Sequence, residues 1–134
     1  GLTRAKNAGI PTQVIEHTDF VTRAAFDNAL HQALMAHDIA FVCLAGFMRV
    51  LTPEFVRNWQ GRMINIHPSL LPKHKGLNTH KAALDAGDSQ HGCTIHWVSE
   101  GVDEGTIIAQ SALDILPDDT ADSLQQRVHA LEHA

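Results

Sequence analysis

Ile39-Ala40-Phe41-Val42-Cys43-Leu44-Ala45-Gly46 runs for seven apolar residues before a glycine. An uninterrupted run of this length is the pattern of a strand covered on both faces, and Gly46 lets the chain turn sharply behind it. Upstream, Phe26, Ala29, Leu30, Ala33 and Leu34 recur at helical spacing within residues 23–36, with Thr22 as the cap. Residues 12–16 read as a short strand, and residues 2–8 as a helix closed by Gly9. Downstream, Thr52 and Pro53 open a helix that runs to Trp59, and residues 63–66 read as a strand. Residues 79–86 read as a helix stopped by Gly87. Residues 92–99 and 106–115 are two strands joined by the acidic 100–105 loop, and 120–134 is an amphipathic helix using Leu124, Val128 and Leu131. Strands alternating with helices predict an α/β fold, three layers around a mostly parallel twisted sheet.

The 134 residues suit one domain, and 44% apolar with 19% charged residues is the composition of a globular protein. A net charge of −5, with Lys and Arg scattered, argues against a nucleic-acid footprint. No apolar run approaches the roughly 20 residues of a membrane span, and the reading is cytoplasmic. Cys43 and Cys93 have no CxxC spacing and are expected as buried free thiols.

The chemistry lies in Asn65-Ile66-His67-Pro68-Ser69-Leu70-Leu71-Pro72 and Val102-Asp103-Glu104-Gly105. Alternate strand residues share a face, so Asn65 and His67 point the same way, and Pro68 ends the strand. The pair then stands at the carboxyl edge of the sheet, where open α/β sheets bind ligands. Acyl transfer to an amine passes through an oxyanion, which the Asn65 carboxamide can stabilise. His67 can supply a proton to the leaving nitrogen, and Asp103 can favour the charged ring. Taken singly, each has a structural alternative: Asn65 as a loop cap, His67 as a satisfied polar residue, Asp103 as part of a tight acidic turn.

Together with Val42-Cys43-Leu44-Ala45-Gly46-Phe47-Met48-Arg49-Val50-Leu51, Gly76-Leu77-Asn78-Thr79-His80 and His91-Gly92-Cys93-Thr94-Ile95-His96, these stretches resemble the folate-dependent formyltransferases, in particular those acting on glycinamide ribonucleotide. The resemblance runs through essentially the whole chain, as a partial catalytic domain over residues 1–134. It implies formyl transfer from the cosubstrate 10-formyltetrahydrofolate to the glycinamide ribonucleotide amine in purine biosynthesis, with Asn65, His67 and Asp103 catalytic and no metal. It further implies a pterin pocket from Met48, Arg49, Val50 and Leu51, with Asn65 and the 98–103 loop, walled by Phe55 and Val56. Arg23 would meet the folate tail, and His129 and Glu132 would contact the ribonucleotide. The family's Gly-Ser-Asn phosphate loop and its first two strands have no counterpart here, and the chain begins and ends within helical patterns. A piece of a longer domain, poorly stable and inactive by itself, is therefore expected.

Three other readings compete. One is hydrolysis of the same folate, as in formyltetrahydrofolate deformylases, although Pro68 stands where those relatives carry a second histidine. Another is a noncatalytic folate-binding fragment. The third is metal catalysis, prompted by ten histidines and the His129/His133 spacing. Against it, the glutamate is misplaced for HExxH, and His91 and His96 differ by an odd step along one strand.

Overall fold

The computed structural model describes all 134 residues, in two compact units, Gly1–Asp38 and Ile39–Ala134. The first holds α1 (Leu2–Asn7), a 3-10 turn (His17–Asp19) and α2 (Arg23–Ala36). Thr22 caps α2 as its spacing predicts, its hydroxyl oxygen accepting from the Ala25 N–H at 3.1 Å. Phe26 is the buried apolar residue of this unit, with the rings of Phe20 and His17 set edge-on to it at 5.8 and 6.4 Å. Residues 12–16 are not a strand, contrary to expectation. Their Thr-Gln-Val-Ile composition suits a strand locally, but a strand requires a ladder partner, and they pair with none.

The second unit is a four-stranded sheet ordered β1 (Val42–Ala45), β2 (Met63–His67), β3 (Gln90–Trp97), β4 (Ile107–Asp114). Between and after the strands come α3 (Pro53–Asn58), α4 (Thr79–Asp85) and α5 (Ala121–Glu132). The α/β class of the sequence reading stands, while the strand directions are more mixed than a mostly parallel sheet. β1 and β2 pair in parallel across α3, but β2–β3 and β3–β4 are antiparallel. The 98–106 segment is short enough to return β4 beside β3, and antiparallel neighbours are what short connections make.

β1 also differs from its pattern. It is shorter than the apolar run, alternates between half-buried and exposed, and is an edge of this sheet. Cys43 accordingly lies on its exposed side, whereas Cys93 in β3 is buried as expected.

The core forms where α5 packs on β3, β4 and α4: Cys93, Leu124 and Val128 are buried, with Ile66, Leu84, Leu113, Ile115 and Leu131 against them. Phe55, Val56 and Trp59 of the α3 region and Met63 of β2 are also buried.

Candidate active site

β2 carries the site because its two ends differ. Met63 is buried at its start, while Asn65 and His67 face a cleft of about 640 Å³ at its carboxyl end. That volume is in the roughly 300–1,000 Å³ range of small-molecule sites. After His67 the chain leaves the sheet through Pro68, and side chains of β3 and β4 fasten the loop. The Thr94 hydroxyl donates to the Ser69 carbonyl at 2.6 Å and accepts from the Leu71 N–H at 3.1 Å. Gln110 donates to the Leu71 carbonyl at 2.9 Å, and Thr79 to the Pro68 carbonyl at 2.6 Å. The loop is thus tied to the sheet at three points and to the start of α4 at a fourth before it reaches the cleft.

His67 is 5% exposed and has an acceptor at each ring nitrogen. Its Nε2–H donates to the His74 carbonyl at 2.9 Å, and its Nδ1 stands 3.4 Å from Asp103 Oδ2. A backbone carbonyl only accepts, so the ring carries a proton on Nε2 and turns Nδ1 toward Asp103. Asp103 adopts a left-handed backbone, φ 52°, and Oδ2 accepts from the Gly76 N–H at 2.8 Å. The strained backbone turns its carboxylate into the cleft, where that amide holds it.

Asn65 has a partner that the sequence reading did not assign to the site. It lies directly across the β2–β3 ladder from His96, and its Nδ2 is 3.3 Å from His96 Nε2. His96 gives its Nδ1–H to the Trp97 carbonyl at 2.9 Å, so the neutral ring accepts at Nε2 from Asn65. The carboxamide is thereby oriented with its second N–H unspent and available to an oxyanion. His96 Nε2 also lies 3.6 Å from Asp103 Oδ1, too long for a hydrogen bond but close enough to join all four side chains in one cluster. The cross-strand pairing was the signal for His96, and it becomes legible only when the antiparallel register is known.

The other expected residues divide. Met48, Arg49, Val50, Leu51 and Val56 line the cleft beside Asn65 and His67, as do Val98, Val102, His129 and Glu132. Phe55 is not on the cleft wall; it is buried, its ring 6.5 Å from that of Trp59. Its neighbour Val56 takes the wall because successive helical residues point about 100° apart. Arg23 lies in the first unit, at the first residue of α2, and is exposed. His129 and His133 stack, ring centroids 6.4 Å apart, and no group of three His, Cys, Asp or Glu side chains converges as a metal site would.

Residues 1–134 match the family described as formyl transferase over their whole length. The chain belongs to the formyl transferase family. It is 57% identical over 133 residues to the trifunctional purine biosynthetic protein adenosine-3 of Drosophila melanogaster, covering 99% of this chain and 10% of that protein. To the phosphoribosylglycinamide formyltransferase of Escherichia coli it is 43% identical over 134 residues, covering all of this chain and 63% of that enzyme. The solved glycinamide ribonucleotide transformylase 1 of Symbiobacterium toebii superposes with a TM-score of 0.94 at 42% identity, over 98% of this chain and 62% of that one. This formyl transferase chain therefore spans about a tenth of the trifunctional relative and just under two thirds of the single-function enzymes.

Proposed function

We propose that the protein is a phosphoribosylglycinamide formyltransferase, moving a formyl group from 10-formyltetrahydrofolate to the amine of glycinamide ribonucleotide in cytoplasmic purine biosynthesis. The observation that carries this reading is the His67–Asp103 contact of 3.4 Å beside Asn65, within a cleft whose apolar wall includes Leu51 and Val56. The activity is ascribed to the protein as a whole.

In this reading the amine nitrogen attacks the formyl carbon and its carbonyl oxygen becomes an oxyanion, which takes the unspent N–H of Asn65. The C–N bond to the folate then breaks, its electron pair returning to the folate nitrogen as that nitrogen takes a proton from the His67–Asp103 pair. The amine proton lost in the same transfer passes to the His67–Asp103 pair, which restores the balance. Because the Nε2–H of His67 is given to the His74 carbonyl, Nδ1 is the nitrogen left for this exchange. The backbone of residues 48–51 suits the pterin, and His129 and Glu132 on α5 suit the ribose hydroxyls of the ribonucleotide. The role of Arg23 toward the folate carboxylates rests on the resemblance alone.

Asn65→Ala and His67→Ala in the full-length protein are each expected to lower kcat by roughly 10²–10³-fold while folate binding, measured by titration, persists. Unchanged turnover in either variant would remove the assignment. Formyl release that does not depend on glycinamide ribonucleotide would favour hydrolysis instead.

A further inference from the structure

The loop Lys73–Gly76 delivers two backbone groups to the catalytic pair: the His74 carbonyl accepts from His67 Nε2, and the Gly76 N–H donates to Asp103. Its shape is not one a histidine adopts freely. His74 has φ 53° and Gly76 φ 78°, and the left-handed region is a costly one for a residue with a Cβ. Something must hold His74 there, and the holder is outside the cleft.

Asp88 lies just beyond α4 and does not line the cleft. Its Oδ1 accepts from Lys73 Nζ and its Oδ2 from His74 Nε2, both at 2.7 Å. Lys73 is 63% exposed, whereas the His74 and Asp88 side chains are 16% and 14% exposed. Solvent competes for the lysine contact, so the histidine contact is the one that fixes geometry. These hydrogen bonds, from Lys73 first and then His74, hold the Asp88 carboxyl below the usual carboxylate range, so it is charged at neutral pH.

We propose that Asp88 is a positioning residue for this site: by holding Lys73 and His74 it fixes the His74 carbonyl against His67 Nε2, which keeps the His67 ring in its Nε2–H form with Nδ1 turned to Asp103. A histidine's tautomer is set by the partner of its other nitrogen, and here that partner is the carbonyl of a loop residue whose preceding peptide is held by Ser69, through the Lys73 carbonyl at 2.7 Å, and whose ring is held by Asp88. Asp88 touches neither substrate nor the reacting atoms. Its effect on them passes through one backbone oxygen, while the same loop's Gly76 amide holds Asp103.

The kinetic side of this inference rests on the formyl-transfer reading, and the spectroscopic side does not. Nitrogen NMR of the full-length protein labelled at histidine ring nitrogens should give His67 a protonated Nε2 that persists across the neutral range. In Asp88→Ala the two ring nitrogens should average between tautomers, and kcat should fall about tenfold or more, the usual cost of a misplaced catalytic group, with each KM changed less than about threefold. Asp88→Asn, which keeps the shape and loses the charge, should fall between the two and serves where the alanine variant does not fold. A His67 spectrum identical to wild type in a folded Asp88 variant would overturn the proposal, and so would kcat falling only in step with the loss of folded protein. If wild type transfers no formyl group, the formyl-transfer reading fails, and the His67 spectrum still decides the role of Asp88.

Discussion

Gly105 has no room for a Cβ. One placed there would collide with the backbone carbonyl of Trp97, the oxygen that takes the Nδ1–H of His96. Gly105→Ala should therefore act at two levels. Overpacking against backbone costs about 1–3 kcal/mol, read by chemical denaturation. Displacing the Trp97 carbonyl also frees His96 from the orientation in which it accepts from Asn65, so formyl transfer should fall further than the loss of folded protein explains. An activity loss equal to the stability loss would show that His96 does not transmit the change. From sequence alone, the shared face of Asn65 and His67 was legible, because strand alternation is a local pattern, whereas drawing Asp103 to them took the family resemblance. His96 and His74 were not legible. One enters the site by cross-strand register and the other through its main-chain oxygen, and neither leaves a local signature in residue types.

α5 is an element whose sequence and structure agree closely. Thr120 accepts from the Ser123 N–H at 3.2 Å, and Ser123 returns the bond to the Thr120 N–H at 2.9 Å, a reciprocal cap that fixes where the helix starts. From that start, Leu124 and Val128 fall one turn apart on the face that meets Cys93, and both are fully buried. Leu124→Ala should cost about 2–5 kcal/mol by urea denaturation, because Leu84, Leu113 and Leu131 are held on separate elements that cannot collapse together into the space. A cost below about 1 kcal/mol would mean that the helix docks loosely. Since α5 also carries His129 and Glu132 to the cleft wall, the same variant should weaken ribonucleotide binding more than folate binding. Helices such as this one were legible because their caps and their apolar stripe both lie within a dozen residues. Strands were less so: β1 is shorter and more exposed than its apolar run suggests, and residues 12–16 form no strand, since a ladder is settled by a partner distant in sequence.

Across the molecule, burial is uneven. Apart from Phe26, every fully buried apolar side chain lies in the Ile39–Ala134 unit, so its response to pH governs the stability of the sheet and the site. That unit buries a histidine in its neutral form. His91 is 1% exposed, its Nε2 is 3.1 Å from His80 Nδ1, and the His74 ring stands edge-on at 6.3 Å. Burial first, then the neighbouring His80 and His74, push its pKa down to about 4, while Asp88 acts weakly the other way. His80 is lowered too, again chiefly by burial. The sign follows from proton uptake. Between pH 6.5 and 4 the unfolded chain protonates these rings and the folded one resists, so stability is complete above about pH 6.5 and is lost as pH falls through that window. For His91 the loss reaches about 3 kcal/mol at pH 4. Asp88 and Asp119, whose carboxyls are held low by hydrogen bonds, add their own losses as pH falls through the ordinary carboxylate range and below it, so most of their contribution lies at lower pH than that of the histidines. Urea midpoints taken at pH 7, 6, 5 and 4 should fall steadily, and His91→Gln should remove most of the slope between pH 6.5 and 4 while leaving the steeper fall at lower pH. A wild-type profile flat to pH 4 would mean that His91 gains water and a proton without unfolding the sheet around it.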